Sequence, residues 1–452
     1  MELVIIVVFV LGYLAIALEH PIKINKTASA LVTAVVCWTL FAVSGAPETL
    51  LSSATYNHFL HELGEKAAAM TAGEIHIEYV IEQLEHHLAE ISQILFFLMG
   101  AMTIVELVDA HHGFKFITDR IKTKNPKMLL WIVCIVSFFL SAVLDNLTTT
   151  IVMISLIRKL IPDKEMRLFF AGMIIISANA GGAWSPIGDV TTTMLWVGGQ
   201  ISAGAVIKNV FLPSVVTMVI PLIYLSFTLK GTLGDFEEKG DSTESTIKTG
   251  NLMLILGVGA LISVPIFKTI THLPPYMGML LGLGLVWLVS ELLNPDLDEG
   301  ERKNLTAGHA LSKIDMPSVL FFLGILMAVG TLQSIGTLAN FAGYLNEEIG
   351  NFPIIITMIG VLSSIVDNVP LVAASMGMYS ITEFPMDHFI WEYLAYCAGT
   401  GGSILVIGSA AGVAAMGMEK IEFGWYLKKI SLLALMGYLG GALVYLVMHG
   451  AI

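Results

Sequence analysis

The chain has 452 residues, of which 56% are hydrophobic and 13% charged, with a mean hydropathy of +0.80. Soluble domains carry about 25% charged residues, so a soluble globular protein is excluded, whereas roughly 250 apolar residues in runs of about 20 supply ten or so membrane spans. The net charge of −13 comes with no basic tail or patch for nucleic acid, and the partner expected from composition is the lipid bilayer.

In chain order, the first apolar run, Leu3 to Leu18, follows only Met1 and Glu2. Lacking the positive region and cleavage site of a signal peptide, it is expected to be a span. A second run covers 27–45. The polar segment 46–90 holds His58, His61, His76, His86 and His87 among glutamates, and its pattern at 75–90 fits an amphipathic helix. That helix reads first as a solvated or dimer-contact surface and second as a pH sensor, because histidine titrates near neutrality. The next run, 91–110, contains Glu106, either a proton relay or a residue reaching the cytoplasmic interface.

Four later segments, 128–160, 166–200, 353–380 and 390–419, exceed one span and are interrupted by Asp-Asn or Gly-Gly sequence, which predicts broken helices. Single spans are expected at 205–229, 250–268, 275–292, 317–336 and 424–448, and the stretch 231–249 reads as a cytoplasmic linker. Cys37, Cys134 and Cys397 fall in apolar runs without metal spacing and are expected to be packing residues.

Positive charge marks the cytoplasmic side. Lys115, Arg120, Lys122, Lys124 and Lys127 precede 128–160, while Arg158, Lys159, Lys164 and Arg167 lie at its far end. Both ends are therefore cytoplasmic, and the segment is a re-entrant hairpin with its tip at Leu144-Asp145-Asn146. From Ile314 to Glu419 there is no Lys or Arg, so 353–380, with its tip at Val366-Asp367-Asn368, enters and leaves from outside. This layout puts 20 Lys and Arg inside and three, Lys66, Lys208 and Lys268, outside, with both termini external.

The sequence also repeats itself. Phe96-Phe97-Leu98 recurs as Phe321-Phe322-Leu323, Asp145-Asn146 as Asp367-Asn368, and Gly181-Gly182 with Ile187-Gly188 as Gly401-Gly402 with Ile407-Gly408, at offsets drifting only from 225 to 220. The expected fold class is an all-α polytopic membrane protein of two inverted-topology repeats, 1–230 and 250–452. Each holds about five spans and one re-entrant helical hairpin, with discontinuous helices at the midplane, the architecture of secondary transporters.

Four polar clusters fall at that midplane: Asp145-Asn146 with Thr148; Asn179 to Asp189 with Thr191 and Thr192; Ser363 with Asp367-Asn368; and Thr400, Ser403 and Ser409. Nearly all are oxygen ligands of the kind a hard cation such as Na⁺ takes. An ionised carboxylate facing lipid at that depth costs about 2.5–3.5 kcal/mol, so these groups face protein, water or a cation. Asp and Asn are favoured N-caps, yet a neutral cap would avoid desolvating a charge, so capping alone leaves the three aspartates unexplained. The Gly-Gly breaks fit either tight helix packing or ion access.

These residues resemble a known family. Ala17-Leu18-Glu19-His20 with Ile24-Asn25-Lys26, the tip Leu144 to Thr150, the break Asn179 to Asp189 and the tip Asp367-Asn368-Val369-Pro370 are similar to those of NhaD-type sodium/proton antiporters of the ion transporter superfamily, over nearly the whole chain. The resemblance implies exchange of cytoplasmic Na⁺ or Li⁺ for external protons, with no cofactor. It also implies a bacterial cytoplasmic membrane and a homodimer with a scaffold domain and a mobile transport domain. Related sodium–dicarboxylate carriers have Ser-Asn-Thr tips where this chain has Leu-Asp-Asn and Val-Asp-Asn. Ser409 stands in the second break where Asp189 stands in the first, so the main Na⁺ site is expected at Asp145, Asn146, Asn179 and Asp189, with Thr191 and Thr192. Asp367, Asn368, Ser363, Ser403 and Ser409 complete it or relay the proton.

The main rival is a sodium-coupled symporter of an anionic solute such as a dicarboxylate, although no Lys or Arg lies at the expected midplane. An intramembrane aspartyl protease is disfavoured because Pro186 interrupts its Gly-x-Gly-Asp signature, and paired hairpins disfavour a channel. An enzyme is not expected.

Overall fold

In hydrocarbon every backbone polar group must find its partner within the protein, which leaves helices or closed barrels. Every regular element among the described residues is helical. The computed structural model describes residues 2–51, 54–115, 123, 125–228, 244–293, 305–365 and 367–451. Eight helices there are long and apolar enough to cross a membrane, among them Lys26–Ser44, Ala203–Thr228 and Ser431–Met448. The protein is a multi-pass membrane protein.

The long segments break where the sequence interrupts them. Pro126–Ser141 and Asn146–Leu160 flank 142–145, and Lys164–Ala183 and Val190–Val197 flank 184–189. Phe352–Leu362 and Asn368–Met378 flank 363–367, and Phe389–Gly401 and Ala410–Glu419 flank 402–409. Val366, the basic residues 120, 122 and 124, and most of the expected linker, 231–243, lie outside the described residues. Helix Glu244–Thr271 begins inside the stretch read as linker.

Two compact units form, and neither follows the halves of the sequence. One is Met1–Leu95, Asp315–Phe352 and Val369–Phe384; the other is Phe96–Ile314, Pro353–Asn368 and Pro385–Ile452.

In the first unit, Lys26–Ser44 packs on Met316–Ile335 at near backbone contact, because a Cβ on Gly324 would stand 2.8 Å from Leu31 N. The Trp38 indole donates to Met327 O at 2.8 Å. The expected amphipathic helix at 75–90 and the span at 91–110 are one helix, Ala72–Ala110, since no Gly or Pro separates them and Ser92 Oγ turns back to Ala89 O instead of capping a new helix. One face of it is packed inside the unit, while Ile77, Ile81 and Leu88 stay exposed. His76 Nε2 meets Phe41 O at 2.8 Å, His87 Nε2 meets Ser334 Oγ at 3.0 Å, and Tyr79 is ringed by Phe41, Tyr56 and Phe59. His58, His61 and His86 stay exposed.

In the second unit, Ala203–Thr228 carries Pro213 and Pro221 in its interior. Gly437 and Gly441 of Ser431–Met448 lie against Thr217 O and Pro213 O, which leaves no room for a Cβ. The three cysteines are buried and free, as packing residues would be.

Near the ends of Asn146–Leu160 and Ala410–Glu419, one carboxylate holds two guanidinium groups. Arg158 Nε and Arg167 Nε each donate to Glu419 at 2.7 Å, and the Glu419 side chain is 1% exposed. Removing one partner of a buried pair costs about 3–5 kcal/mol, less where, as at Arg158, water reaches the cation. Glu419→Gln is therefore expected to lower the Tm of the purified protein in detergent. An unchanged Tm would mean that water serves the two arginines equally well.

Candidate functional site

The second unit brings the two hairpin tips and the two helix breaks together through side chains that first serve their own helix ends. Asp145 caps Asn146–Leu160: Thr148 N donates to Oδ1 at 2.7 Å and Thr148 Oγ1 to Oδ2 at 2.8 Å. Its backbone lies at φ +131°, a region that residues with a Cβ rarely occupy. Asp189 caps Val190–Val197, its Oδ1 accepting from Thr191 N at 2.8 Å and Thr191 Oγ1 at 2.7 Å. Ser409 caps Ala410–Glu419, accepting from Gly412 N at 3.1 Å. Such caps satisfy backbone N–H groups that a broken helix would otherwise leave bare in hydrocarbon.

The remaining valences link these ends. Asn146 Nδ2 donates to Asp189 Oδ2 at 2.7 Å and to Asn179 Oδ1 at 3.1 Å, and Asn179 Nδ2 donates to Ser409 Oγ at 2.9 Å. All four residues are buried. A single chain of polar groups thus runs from the first break past the first hairpin tip and on to the second break. Asp145 and Asp367 both lie within electrostatic reach of Asp189. Asp145 and Asp367 are half-buried, while Asn368 is buried.

Other expected members serve the backbone. Thr192 Oγ1 donates to Ala183 O at 3.3 Å, closing the first break on itself. Ser363 Oγ donates to Gly360 O at 2.7 Å and Ser403 Oγ to Thr400 O at 2.6 Å. Glu106 is half-buried on Ala72–Ala110, and its electrostatic neighbours are Asp109, Lys313 and His309, none of them in the carboxylate cluster.

Glycines allow this convergence. Gly181 lies against Phe138 O and Gly401 against Gly360 O, closer than any Cβ could. A Cβ on Gly188 would stand 2.5 Å from Ser141 O, and one on Gly408 2.6 Å from Ser364 O. The breaks are therefore seats for the hairpin arms as well as interruptions.

Among the described residues no three His, Cys, Asp or Glu side chains gather as a metal cage. Neither Asp145 nor Asp189 has a Lys, Arg or His in ion-pair range there, unlike Glu419. The cluster thus gathers carboxylate, carboxamide and hydroxyl oxygens with no cationic side chain paired to Asp145 or Asp189 among the described residues.

The citrate transporter family model, CitMHS, matches residues 6–391. The chain belongs to the CitMHS family. It is a transporter family, so this member is not an enzyme. Sodium/proton antiporter 1 of Arabidopsis thaliana is 48% identical over 443 residues, 98% of this chain and 71% of the relative. Sodium/proton antiporter 2 of the same plant is 44% identical over 98% of both chains. The Na⁺/H⁺ antiporter NhaD of Vibrio cholerae is 28% identical over 98% of this chain and 91% of its own. The resemblance to NhaD-type antiporters read from the motifs holds.

Sequence reasoning missed two acids, Glu392 and Glu419. The signal was available, since each is a carboxylate next to an apolar run, but their partners lie 183 and 261 residues away in sequence.

Proposed function

We propose that this CitMHS member is a secondary active transporter that exchanges Na⁺ or Li⁺ from the cytoplasm for protons from outside by alternating access. The observation that carries the reading is Asp189, buried, bonded to Asn146 and Thr191, and without a cationic partner among the described residues. A buried carboxylate without a counter-charge needs a proton or a cation. The two exclude each other, since a proton removes the charge that attracts the cation and a cation repels the proton. Exchange follows if the empty, charged pocket does not reorient.

In this reading Na⁺ is cargo, held by Asp145, Asn146, Asn179 and Asp189, while Asp367 and Asn368 complete the site or relay the proton. The names of the relatives at 44–48% identity favour exchange over symport. The lack of a cation beside Asp145 and Asp189 speaks against an anionic solute. Two inverted repeats are supported by the paired glycine seats roughly 220 residues apart. External termini follow from the charge distribution, and a homodimer in a bacterial cytoplasmic membrane from the NhaD resemblance. The plant relatives leave an ion-tight bilayer as the requirement.

The test is Na⁺-driven proton movement in proteoliposomes with a pH-sensitive dye inside, comparing the parent with Asp145→Asn. Counterflow that the substitution abolishes is expected. Sodium entry without proton counterflow would sink the antiport reading and point to a sodium-coupled solute.

A further inference from the structure

A second buried acid stands apart from the aspartate cluster. Glu392, 1% exposed, lies in the first turn of Phe389–Gly401, the helix that ends at the second break. Its Oε2 accepts from Asn209 Nδ2 at 2.7 Å, and its Oε1 has no hydrogen-bond partner among the described residues. Two further contacts converge on Oε2. Tyr445 OH lies 3.2 Å away and His449 Nε2 3.9 Å away.

The hydrogens around this oxygen can be counted. His449 Nδ1 lies 2.9 Å from Tyr445 O, and a carbonyl only accepts, so Nδ1 carries the ring hydrogen and the neutral ring turns a lone pair at Nε2 toward Glu392. The single Tyr445 hydroxyl hydrogen has two acceptors in reach, Phe389 O at 2.8 Å and Glu392 Oε2 at 3.2 Å, so it serves the carboxylate only by leaving the carbonyl. With Glu392 ionised, Oε1 is unpaired among the described residues and the Nε2 lone pair of His449 faces the carboxylate, acceptor against acceptor. One added proton on Oε2 turns that repulsion into an attraction.

We propose that Glu392 and His449 form a second proton-binding site that takes up one proton and thereby ties helix Ser431–Met448 to the start of the second broken helix. The His449 side chain is 21% exposed and gives the buried acid a way to water. On the charge-based layout this end faces outside, the side from which protons enter. The other groups facing the pair are Asp387 ahead of the helix, Asn209 from Ala203–Thr228 and Tyr445. Among the described residues no Lys or Arg is in ion-pair range of Glu392. The role, setting how external pH governs exchange, rests on the antiport reading; the proton site itself does not.

Two measurements on the full-length protein test this. Infrared difference spectra between acidic and alkaline pH should contain a carboxylic-acid band that Glu392→Gln removes and His449→Gln shifts. In proteoliposomes at fixed internal pH, Glu392→Gln should keep the parent's acidic-side exchange rate across external pH, losing one titration step. An unchanged band overturns the proton site, and an unchanged profile with active parent overturns its role. A band lost with no exchange by the parent would sink the antiport reading and leave the site standing. Should Glu392→Gln fail to fold, the His449→Gln shift decides.

Discussion

Asp189→Asn is expected to abolish Na⁺-driven proton exchange while leaving the protein folded. Asparagine caps a helix about as well as aspartate, so the bond from Thr191 N survives. What goes is the charge and the acceptor at Oδ2, which now receives Asn146 Nδ2 at 2.7 Å and would be replaced by an NH2 that only donates. Contacts to an ionised group contribute about 1.5–3 kcal/mol, and each 1.4 kcal/mol is about tenfold in affinity. Na⁺ affinity should therefore fall roughly 10- to 100-fold, and the proton loses a place to bind. Exchange assays run beside a Tm separate lost transport from lost fold. Exchange near the parental rate in a folded Asp189→Asn would remove this residue from the mechanism.

The second large effect is steric. Gly401→Ala would drive a methyl into Gly360 O and to 2.8 Å from Ser363 Oγ, and the obstacle is backbone that cannot rotate away. Overpacking of this kind costs about 1–3 kcal/mol. A lower Tm and a reduced yield are expected, with the same outcome for Gly181→Ala against Phe138 O. Gly284→Ala is the control, because nothing lies within 4 Å of its added methyl and alanine favours a helix by about 1 kcal/mol. Equal Tm for Gly401→Ala and Gly284→Ala would show that the seat at the second break is loose.

Much of this was legible in the sequence because hydrocarbon imposes a simple grammar. Apolar runs of span length became helices, and the runs that were too long broke at Asp145 and just past the Gly-Gly pairs, with Gly181, Gly182 and Gly401 still in the preceding helices. The carboxamide chain was legible only as a set of residues; its order, Asp189 to Asn146 to Asn179 to Ser409, depends on side-chain direction. The helix Ala72–Ala110 was read as two elements because its polarity changes near residue 90. Backbone hydrogen bonding takes no notice of that change. His76 and His87 looked like members of a solvated face, yet their partners are Phe41 O and Ser334 Oγ. Contacts over such separations leave no local mark. For the same reason the compact units, each drawn from both halves of the chain, could not be read from the repeat.

Asp145 joins two quantities usually treated separately. Its backbone, at φ +131° and ψ 163°, occupies a conformation that costs of order 1–3 kcal/mol unless something holds it, and what holds it is its own carboxylate on Thr148. In the exchange proposed above, a proton or Na⁺ at that carboxylate would draw charge away from the two oxygens that hold Thr148. Loading the ion would then slacken the bowstring that keeps the hairpin tip bent. Occupancy and tip geometry would become a single variable, and the bend of the chain would report whether the ion is aboard.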